Sequence, residues 1–210
     1  MKKILSIMNV VVILLFIVFN NAASAKEGTS VQKDIASKII RFHVIANSNN
    51  VQDQSLKLKI KDEIIKYMNP KLSKSKDICE SREILKREDK NIIKIANKVI
   101  EEKGYSYSLK TTLDKENFPI KTYGNITLPQ GKYEAYRVVI GNGKGQNWWC
   151  VMFPPLCFVD VTKGEVSSKK TENQMKKIIS KNEYNKIDNK KNKSIKIKSK
   201  LVETIKAVSK

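Results

Sequence analysis

The chemistry available to this chain centres on His43, the only histidine in its 210 residues. A histidine that acts as a general base needs a nucleophile within hydrogen-bonding reach and an acid that orients it. Cys150 and Asp53 are the side chains that could complete such a group and give a secreted hydrolase of peptides or cell wall. No local motif accompanies them, and the signatures of cysteine enzymes are specific to their families. We therefore expect a structural or interface role for His43, with no catalytic residue and no cofactor.

The three cysteines are Cys79, Cys150 and Cys157, and six residues separate the last two. Two alternatives stay open for Cys150 and Cys157: a disulfide bond across a hairpin, or two buried free thiols that pack as small hydrophobic groups. Cys79 falls in a predicted helix and is expected to be an inert core thiol. A zinc site is not expected, because the chain has a single histidine and no C-x-x-C pair.

The stretch 147–160, NWWCVMFPPLCFVD, holds both tryptophans, two of the three cysteines and two of the five prolines. Large aromatic side chains bury much apolar surface and anchor protein cores and interfaces. Neighbouring residues of a strand point to opposite faces, so Trp148 and Trp149 are expected on opposite sides of a sheet. The stretch therefore predicts the centre of a folded domain and a candidate binding face.

A glycine-rich sequence, GNGKG at 141–145, superficially resembles a phosphate-binding loop. A Walker loop ends in G-K-[ST] and leads into a helix. This loop leads instead into Trp148 and Trp149, which favour a strand. The sequence therefore predicts a hairpin connection between two strands.

The candidate residues near His43 depend on a predicted strand and the helix that follows it. Residues 39–46, IIRFHVIA, are rich in β-branched and aromatic types and predict a strand with Arg41 and His43 on one face. Asn50 and Asp53 resemble a capping box at the start of a helix, which Pro70 is expected to end. A second helix is predicted over 77–103, because Gly104 then occupies the C-cap position.

After these helices the hydrophobic period changes to two. Alternating residues predict strands at 105–109 and 133–140, with an extended segment at 118–124 and a turn at 128–131. The order of a strand, two helices and several strands predicts an α+β domain. We expect two helices packed on an antiparallel sheet of about four to five strands, spanning residues 39–160.

The first 25 residues have the features of a signal peptide. Lys2 and Lys3 precede an apolar run at 10–19, and Ala23-Ser24-Ala25 fits the small-x-small cleavage rule. Cleavage after Ala25 would give an exported protein. The alternative is an uncleaved membrane anchor, although its apolar span is shorter than the roughly 20 residues that a bilayer needs. Residues 26–38 form a polar segment before the domain.

The formal net charge is +20, from 41 Lys and Arg against 21 Asp and Glu. We do not expect a nucleic-acid partner, because the basic residues are spread along the chain and few are Arg, the residue suited to bidentate phosphate contacts. An anionic membrane or a wall polymer matches this charge better. Residues 161–210 form a Lys-rich tail whose composition predicts partial disorder, with short helices near 175–179 and 201–208.

Several motifs together resemble the stage II sporulation protein R family of endospore-forming bacteria. They are RFHVIANSN with the following DQ-x-LKLKIKDEI at 41–64, FPxKxYG at 118–124, LPxGxY at 128–133, RVVIGxGxGxNWWC at 137–150 and VMFPPLCF at 151–158. The resemblance covers residues 39–160, about three-fifths of the chain.

This resemblance implies a signalling protein that is made in the forespore and secreted into the septal intermembrane space. There it would activate a membrane-embedded aspartic protease of the mother cell, which processes an inactive sigma-factor precursor, pro-sigma-E. Such a role implies docking and no reaction by the protein itself. As surfaces for contact with the protease we expect residues of the first strand and its turn, together with the tryptophans: Arg41, His43, Asn47, Ser48, Asp53, Trp148 and Trp149.

Overall fold

The computed structural model describes residues 30–157 and 165–189. Its elements are, in chain order, α1 (Ser30–Ala36), β1 (Ile40–Ile45), α2 (Val51–Leu72), α3 (Ile78–Glu102), β2 (Leu109–Phe118), β3 (Lys121–Tyr123), β4 (Ile126–Leu128), β5 (Gly131–Ile140), β6 (Asn147–Phe153), α4 (Glu165–Lys176) and α5 (Lys181–Ile187). The predicted α+β class is confirmed. The predicted signal segment and the predicted helix near 201–208 lie outside the described residues.

The main sheet has the strand order β2-β5-β1-β6, and β3 pairs with β4 in a separate two-stranded sheet. β1 runs parallel to β5 and antiparallel to β6, so the sheet is mixed where an antiparallel sheet was expected. The hairpin prediction for the glycine-rich loop is also wrong, because β5 and β6 are not neighbours in the sheet. β1 lies between β5 and β6, and the loop 141–146 crosses over the end of β1 instead of joining neighbouring strands.

Helices α2 and α3 cover one face of this sheet. Their apolar stripes pack against the strands through a core that includes Leu56, Ile60, Ile64, Leu85, Ile92, Phe42, Tyr136 and Val138. Trp148 belongs to this side, since its ring meets Phe42 edge-on at 5.7 Å. Because strand residues alternate between faces, the neighbouring Arg41, His43 and Trp149 point to the opposite side.

The helix ends differ in part from the prediction. Asp77 caps α3 by accepting a hydrogen bond from the Glu80 amide, close to the predicted start. Helix α2 continues past Pro70 to Leu72. Proline in the last turn removes only one backbone donor, and the Ser73 amide still donates to the Asn69 carbonyl at the end of the helix. Cys79 was expected in the core but is exposed on α3.

Strand β2 was not predicted from the sequence. The alternation at 105–109 suggested a strand there, but the strand begins at Leu109 and extends to Phe118. Its sequence is mostly polar, and it forms the edge of the sheet with most of its residues partly exposed. An edge strand with few apolar residues gives little periodic signal.

Two helices from the Lys-rich tail pack on the domain. They bury Thr171, Met175, Tyr184 and Ile187, and Ile179 between the two helices is buried as well. Ser180 and Glu183 form a capping box at the start of α5, and Glu183 also pairs with Lys38 at 2.7 Å. The hydrogen bond from Lys38 lowers the pKa of Glu183 to about 2. The described part of the tail is therefore tied to the segment before β1.

Within the described ranges, no helix combines the length and apolar character that crossing a membrane requires.

Candidate functional site

His43 lies at the centre of a polar network on the sheet face away from α2 and α3. We call this surface the distal face and define it by Arg41, His43, Glu116, Arg137 and Trp149. His43 Nδ1 lies 2.8 Å from Glu116 Oε2, and its Nε2 lies 2.8 Å from Asn147 Oδ1. The imidazole also stacks on Trp149, with ring centroids 3.7 Å apart and planes 17° apart. Both ring nitrogens of His43 therefore have partners, and one ring face is covered.

The network continues from Glu116 to the protein surface. The second carboxylate oxygen of Glu116 lies 2.7 Å from Arg137 Nη1. Side-chain exposure rises along this path, from 7% at His43 to 17% at Glu116 and 35% at Arg137. At the other end, Asn147 is exposed. The distal face thus presents a hydrogen-bonded aromatic and charged cluster whose outer groups reach solvent.

Arg41 is enclosed at the inner end of the same face, with no exposed surface. Its Nε donates to the Cys150 carbonyl at 3.1 Å and its Nη2 donates to the Tyr123 hydroxyl at 3.0 Å. The guanidinium carbon lies 4.3 Å from the ring centroid of Phe118 and 4.8 Å from that of Tyr133. Its Nη1 has no hydrogen-bond partner among the described residues. Arg41 is therefore an interior cation held by aromatic rings and is not available for surface contact.

Asn47, Ser48 and Asp53 form a separate group, which we call the corner, where β1 leads into α2. Asp53 accepts hydrogen bonds from Asn47 Nδ2 at 2.9 Å and from Ser48 Oγ at 2.6 Å. Burial alone would raise the pKa of Asp53, but the bonds from Ser48, Asn47 and Tyr107 leave it below its ordinary value. The predicted capping box is wrong, because Asp53 turns toward these side chains and Asn50 makes no side-chain cap.

The glycine-rich loop packs directly on the corner. Asn47 Oδ1 accepts a hydrogen bond from the Asn142 amide at 2.9 Å, and the Asn47 carbonyl accepts one from Lys144 at 3.1 Å. Gly141 has φ +55°, and a Cβ there would lie 2.4 Å from Asn47 Oδ1. The amides that could hold a phosphate in such a loop thus contact residues of the protein itself.

Trp148 stands apart from both groups. Besides its contact with Phe42, its ring carries Lys61 Nζ of α2 at 4.9 Å from the centroid. The prediction that the two tryptophans occupy opposite faces is confirmed. The structure therefore divides the predicted contact residues among the distal face, the corner and the helix-covered face.

Three members of the distal-face network were not identified from the sequence: Glu116, Arg137 and Asn147. Glu116 lies in β2, the strand that carried no periodic signal. Arg137 was recognisable as the one arginine in the alternating sequence of β5, and it lies opposite His43 in the register of β1 and β5. Only the strand order brings these residues together.

A catalytic group of His43 with Cys150 or Asp53 has no supporting contact in the structure. The Cys150 thiol lies 3.8 Å from the Val151 carbonyl oxygen, and Asp53 is bound within the corner. Among residues 30–157 and 165–189, no cluster of three or more His, Cys, Asp or Glu side chains could hold a metal ion.

Comparison with known proteins gives the family. The model of the family described as Stage II sporulation protein R matches residues 36–163, a segment that includes every strand of both sheets. The chain belongs to the stage II sporulation protein R family. Stage II sporulation protein R of Bacillus subtilis (strain 168) is 35% identical over 175 residues, which cover 80% of this chain and 78% of that protein. No solved structure matches the chain.

Membership of the stage II sporulation protein R family gives this protein a role in sporulation. The matched segment contains both the distal face and the corner. Helices α4 and α5 lie entirely beyond it, although their buried residues pack on the same domain. The resemblance seen in the motifs is confirmed over a slightly longer segment than the motifs themselves span.

Proposed function

We propose that this protein is a secreted signal of sporulation that activates a membrane-embedded aspartic protease of the mother cell. The forespore would export it into the septal intermembrane space, and the activated protease would then process pro-sigma-E. Membership of the stage II sporulation protein R family is the observation that carries this proposal. The signal-peptide features of residues 1–25 support export, and an uncleaved segment would leave the protein attached to the membrane.

Activation by docking requires that the protein bind the active form of the protease more tightly than the inactive form. The outer part of the distal face suits this task, because Trp149, Arg137 and Asn147 combine partial exposure with fixed positions. Trp149 is held by its stack on His43, and Arg137 by Glu116. Side chains that are already ordered lose little entropy on binding, and Trp and Arg are enriched among residues that dominate binding energy.

The positive charge of the chain supplies a second, less specific attraction. A net charge of +20 favours the anionic lipid of the septal membranes or an anionic wall polymer. Such binding would keep the signal near its source and raise its concentration beside the protease. A membrane- or wall-binding module with no protease partner is the alternative to this view.

Complementation of sporulation tests the proposed contact surface. Trp149→Ala and Arg137→Ala would be introduced into an endospore-forming host that lacks its own family member, and pro-sigma-E processing would be followed by immunoblot. We expect each change to weaken activation about tenfold or more, as for a central interface residue. Leu58→Ala is the matched control, because Leu58 is an exposed apolar residue on helix α2. Normal processing by Trp149→Ala, at the protein level of the unaltered chain, would exclude the distal face.

Crosslinking separates the proposed function from its rivals. A photoreactive residue at position 149 is expected to trap the protease during sporulation, whereas the same residue at position 58 is not. Deleting residues 1–25 is expected to abolish processing while leaving the protein inside the forespore. If position 149 traps only lipid or wall material, the binding-module alternative replaces our proposal. Hydrolysis of a peptide or wall substrate that disappears in both His43→Ala and Cys150→Ser would support the hydrolase.

A further inference from the structure

We propose that Cys150 and Cys157 form a disulfide bond in the exported protein and close the diproline turn at the end of β6. The proposal rests on the export that the proposed function includes, since such bonds persist in oxidising compartments outside the cytoplasm. It adds a covalent modification that would fix the turn beside the buried Arg41.

The backbone already brings the two cysteines together. After β6 the chain turns at Pro154 and Pro155, and the amides of Leu156 and Cys157 both donate to the Val151 carbonyl at 3.2 Å. Cys157 is thereby placed beside the residue that follows Cys150. These hydrogen bonds do not involve the thiols, so the approach is a property of the fold.

The sulfur atoms share the same surroundings. Cys157 Sγ donates to the Val151 carbonyl oxygen at 2.9 Å, and Cys150 Sγ lies 3.8 Å from that oxygen. Both sulfur atoms therefore lie around one carbonyl oxygen. Two cysteines that a turn holds near each other can be bridged when their side chains rotate toward one another.

The bond would form by thiol–disulfide exchange with a small-molecule or protein disulfide as oxidant. Cys157 is partly exposed and Cys150 is buried, so the Cys157 thiolate attacks the oxidant first. One sulfur of the oxidant leaves as a thiol, and the Cys150 thiolate then displaces the second sulfur from the mixed disulfide. The two cysteines lose two protons and two electrons, and the oxidant is reduced to two thiols.

Arg41 lies next to this pair, with its Nε bonded to the Cys150 carbonyl, and its charge favours the thiolate form. Burial raises the pKa of Cys157 well above its ordinary value, and the neighbouring Cys150 acts in the same direction, whereas the charge of Arg41 opposes both. A thiol pair in the same surroundings but without a cation would react more slowly, because only the thiolate attacks a disulfide.

Cys79 provides an internal control. It is exposed on α3, far along the chain from the diproline turn, and its thiol is near Arg82. If simple accessibility determined oxidation, Cys79 would react first. A bond between the two less accessible cysteines requires the geometry described above.

Counting thiols in the purified full-length chain tests the proposal. The reduced protein would be incubated with oxidised glutathione, then denatured and alkylated, and its mass measured. We expect one alkylated cysteine in the unaltered chain and none in Cys79→Ser. Peptide mapping should join Cys150 to Cys157. Three alkylated cysteines, or a bond that includes Cys79, would overturn the proposal.

Thermal unfolding gives a second readout that does not depend on alkylation. Closing a short loop should raise the Tm of the oxidised chain by roughly 4–8 °C, and dithiothreitol should remove this gain. The double variant Cys150→Ser/Cys157→Ser should show no response to dithiothreitol. A Tm of the unaltered chain that does not change on reduction would contradict a bond at this position.

The experiment in glutathione requires neither export nor the protease, so its failure would reject the disulfide and leave the proposed function intact. Protein trapped with an alkylating reagent in sporulating cells supplies the complementary test. We expect it to carry the same single free thiol. Three free thiols in cells, after efficient bond formation in the purified protein, would reject the bond in the exported protein and place the chain in a reducing compartment.

Discussion

The corner and the distal face are two polar clusters joined to the same strand, and they differ in where their hydrogen bonds end. In the corner, Asp53 is 4% exposed, and its network runs through the partly exposed Asn47 to the backbone amide of Asn142, so it ends on the protein's own backbone. On the distal face, the network that begins at buried His43 ends at the exposed Asn147 and the partly exposed Arg137. A network that ends on the protein's own groups stabilises the packing of its helices and strands. A network that ends at the surface also leaves hydrogen-bonding groups for a partner protein.

The difference follows from what covers each cluster. The loop 141–146 lies over the corner, and its Gly145 amide bonds to Ala46. On the distal face, Phe118 packs against His43 and Trp149, whereas Arg137 stays partly exposed and Asn147 is exposed. We therefore expect changes in the corner to affect stability first, and changes at the outer part of the distal face to affect signalling first.

Arg41 is the strongest exception to this division. It belongs to the distal face but is completely buried, so a change at Arg41 should affect stability first. Arg41→Ala should lower the free energy of unfolding by on the order of 3–5 kcal/mol, since it leaves a cavity and deprives Tyr123 and the Cys150 carbonyl of their donor. Urea denaturation of the purified chain measures this loss.

Two control variants show whether charge or volume matters at position 41. Arg41→Met should lose less than half as much, because an apolar side chain of similar size removes an interior charge without leaving a large cavity. Arg82→Ala should lower the free energy of unfolding by about 1 kcal/mol, since Arg82 pairs with Glu134 where both side chains are partly exposed. An Arg41→Ala chain as stable as Arg82→Ala would show that Arg41 is not held as the structure indicates.

Asp53→Ala tests the corner. We expect a loss of about 2–3 kcal/mol, because the hydrogen-bonding groups of Asn47, Ser48 and Tyr107 lose their common acceptor. At equal protein level, pro-sigma-E processing should stay normal. Asp62→Ala is the matched control on the same helix, where the carboxylate is mostly exposed and should change stability by less than about 0.5 kcal/mol. Loss of processing by a stable Asp53→Ala protein would transfer the contact surface to the corner.

Titration of Asp53 should have a smaller effect, which is seen in the pH dependence of stability. The pKa of Asp53 is lowered in the folded protein, so its contribution is fully present above the ordinary value of 3.8 and is lost as pH falls through the folded pKa. Asp53→Asn cannot titrate, and its deficit relative to the unaltered chain should therefore shrink as pH falls below 4. Urea midpoints measured from pH 7 to pH 2.5 test this, and a constant deficit would contradict it.

The sequence predicts the elements that carry strong periodic or capping signals. The strand around His43, the helix that Asp77 caps and the opposite orientations of Trp148 and Trp149 all follow from residue type and spacing. The parallel pairing of β1 with β5 does not, because pairing depends on contacts between segments more than 90 residues apart in sequence, such as His43 with Arg137. The hairpin prediction was wrong because no local signal shows that a third strand lies between two consecutive ones.

The candidate site was predictable only in part for the same reason. His43 and Trp149 stand out by residue type, whereas Glu116 lies in a polar edge strand that resembles a loop in sequence. Asn47, Ser48 and Asp53 appeared equivalent to the distal-face residues, because composition does not reveal which polar group will be covered. Arg41 looked like a surface residue, since full burial of arginine is rare without pairing.

The smallest predicted effect concerns the outer link of the distal-face network. A double-mutant cycle of Glu116→Gln and Arg137→Met should give a coupling free energy of about 0.5–1 kcal/mol, because Arg137 is one-third exposed and solvent weakens the pair. The inner variant His43→Gln combined with Glu116→Gln should couple more strongly, since His43 is almost fully buried. Equal coupling of the two pairs would mean that the network is closed to solvent in solution. The distal face would then resemble the corner and would no longer be the candidate docking surface.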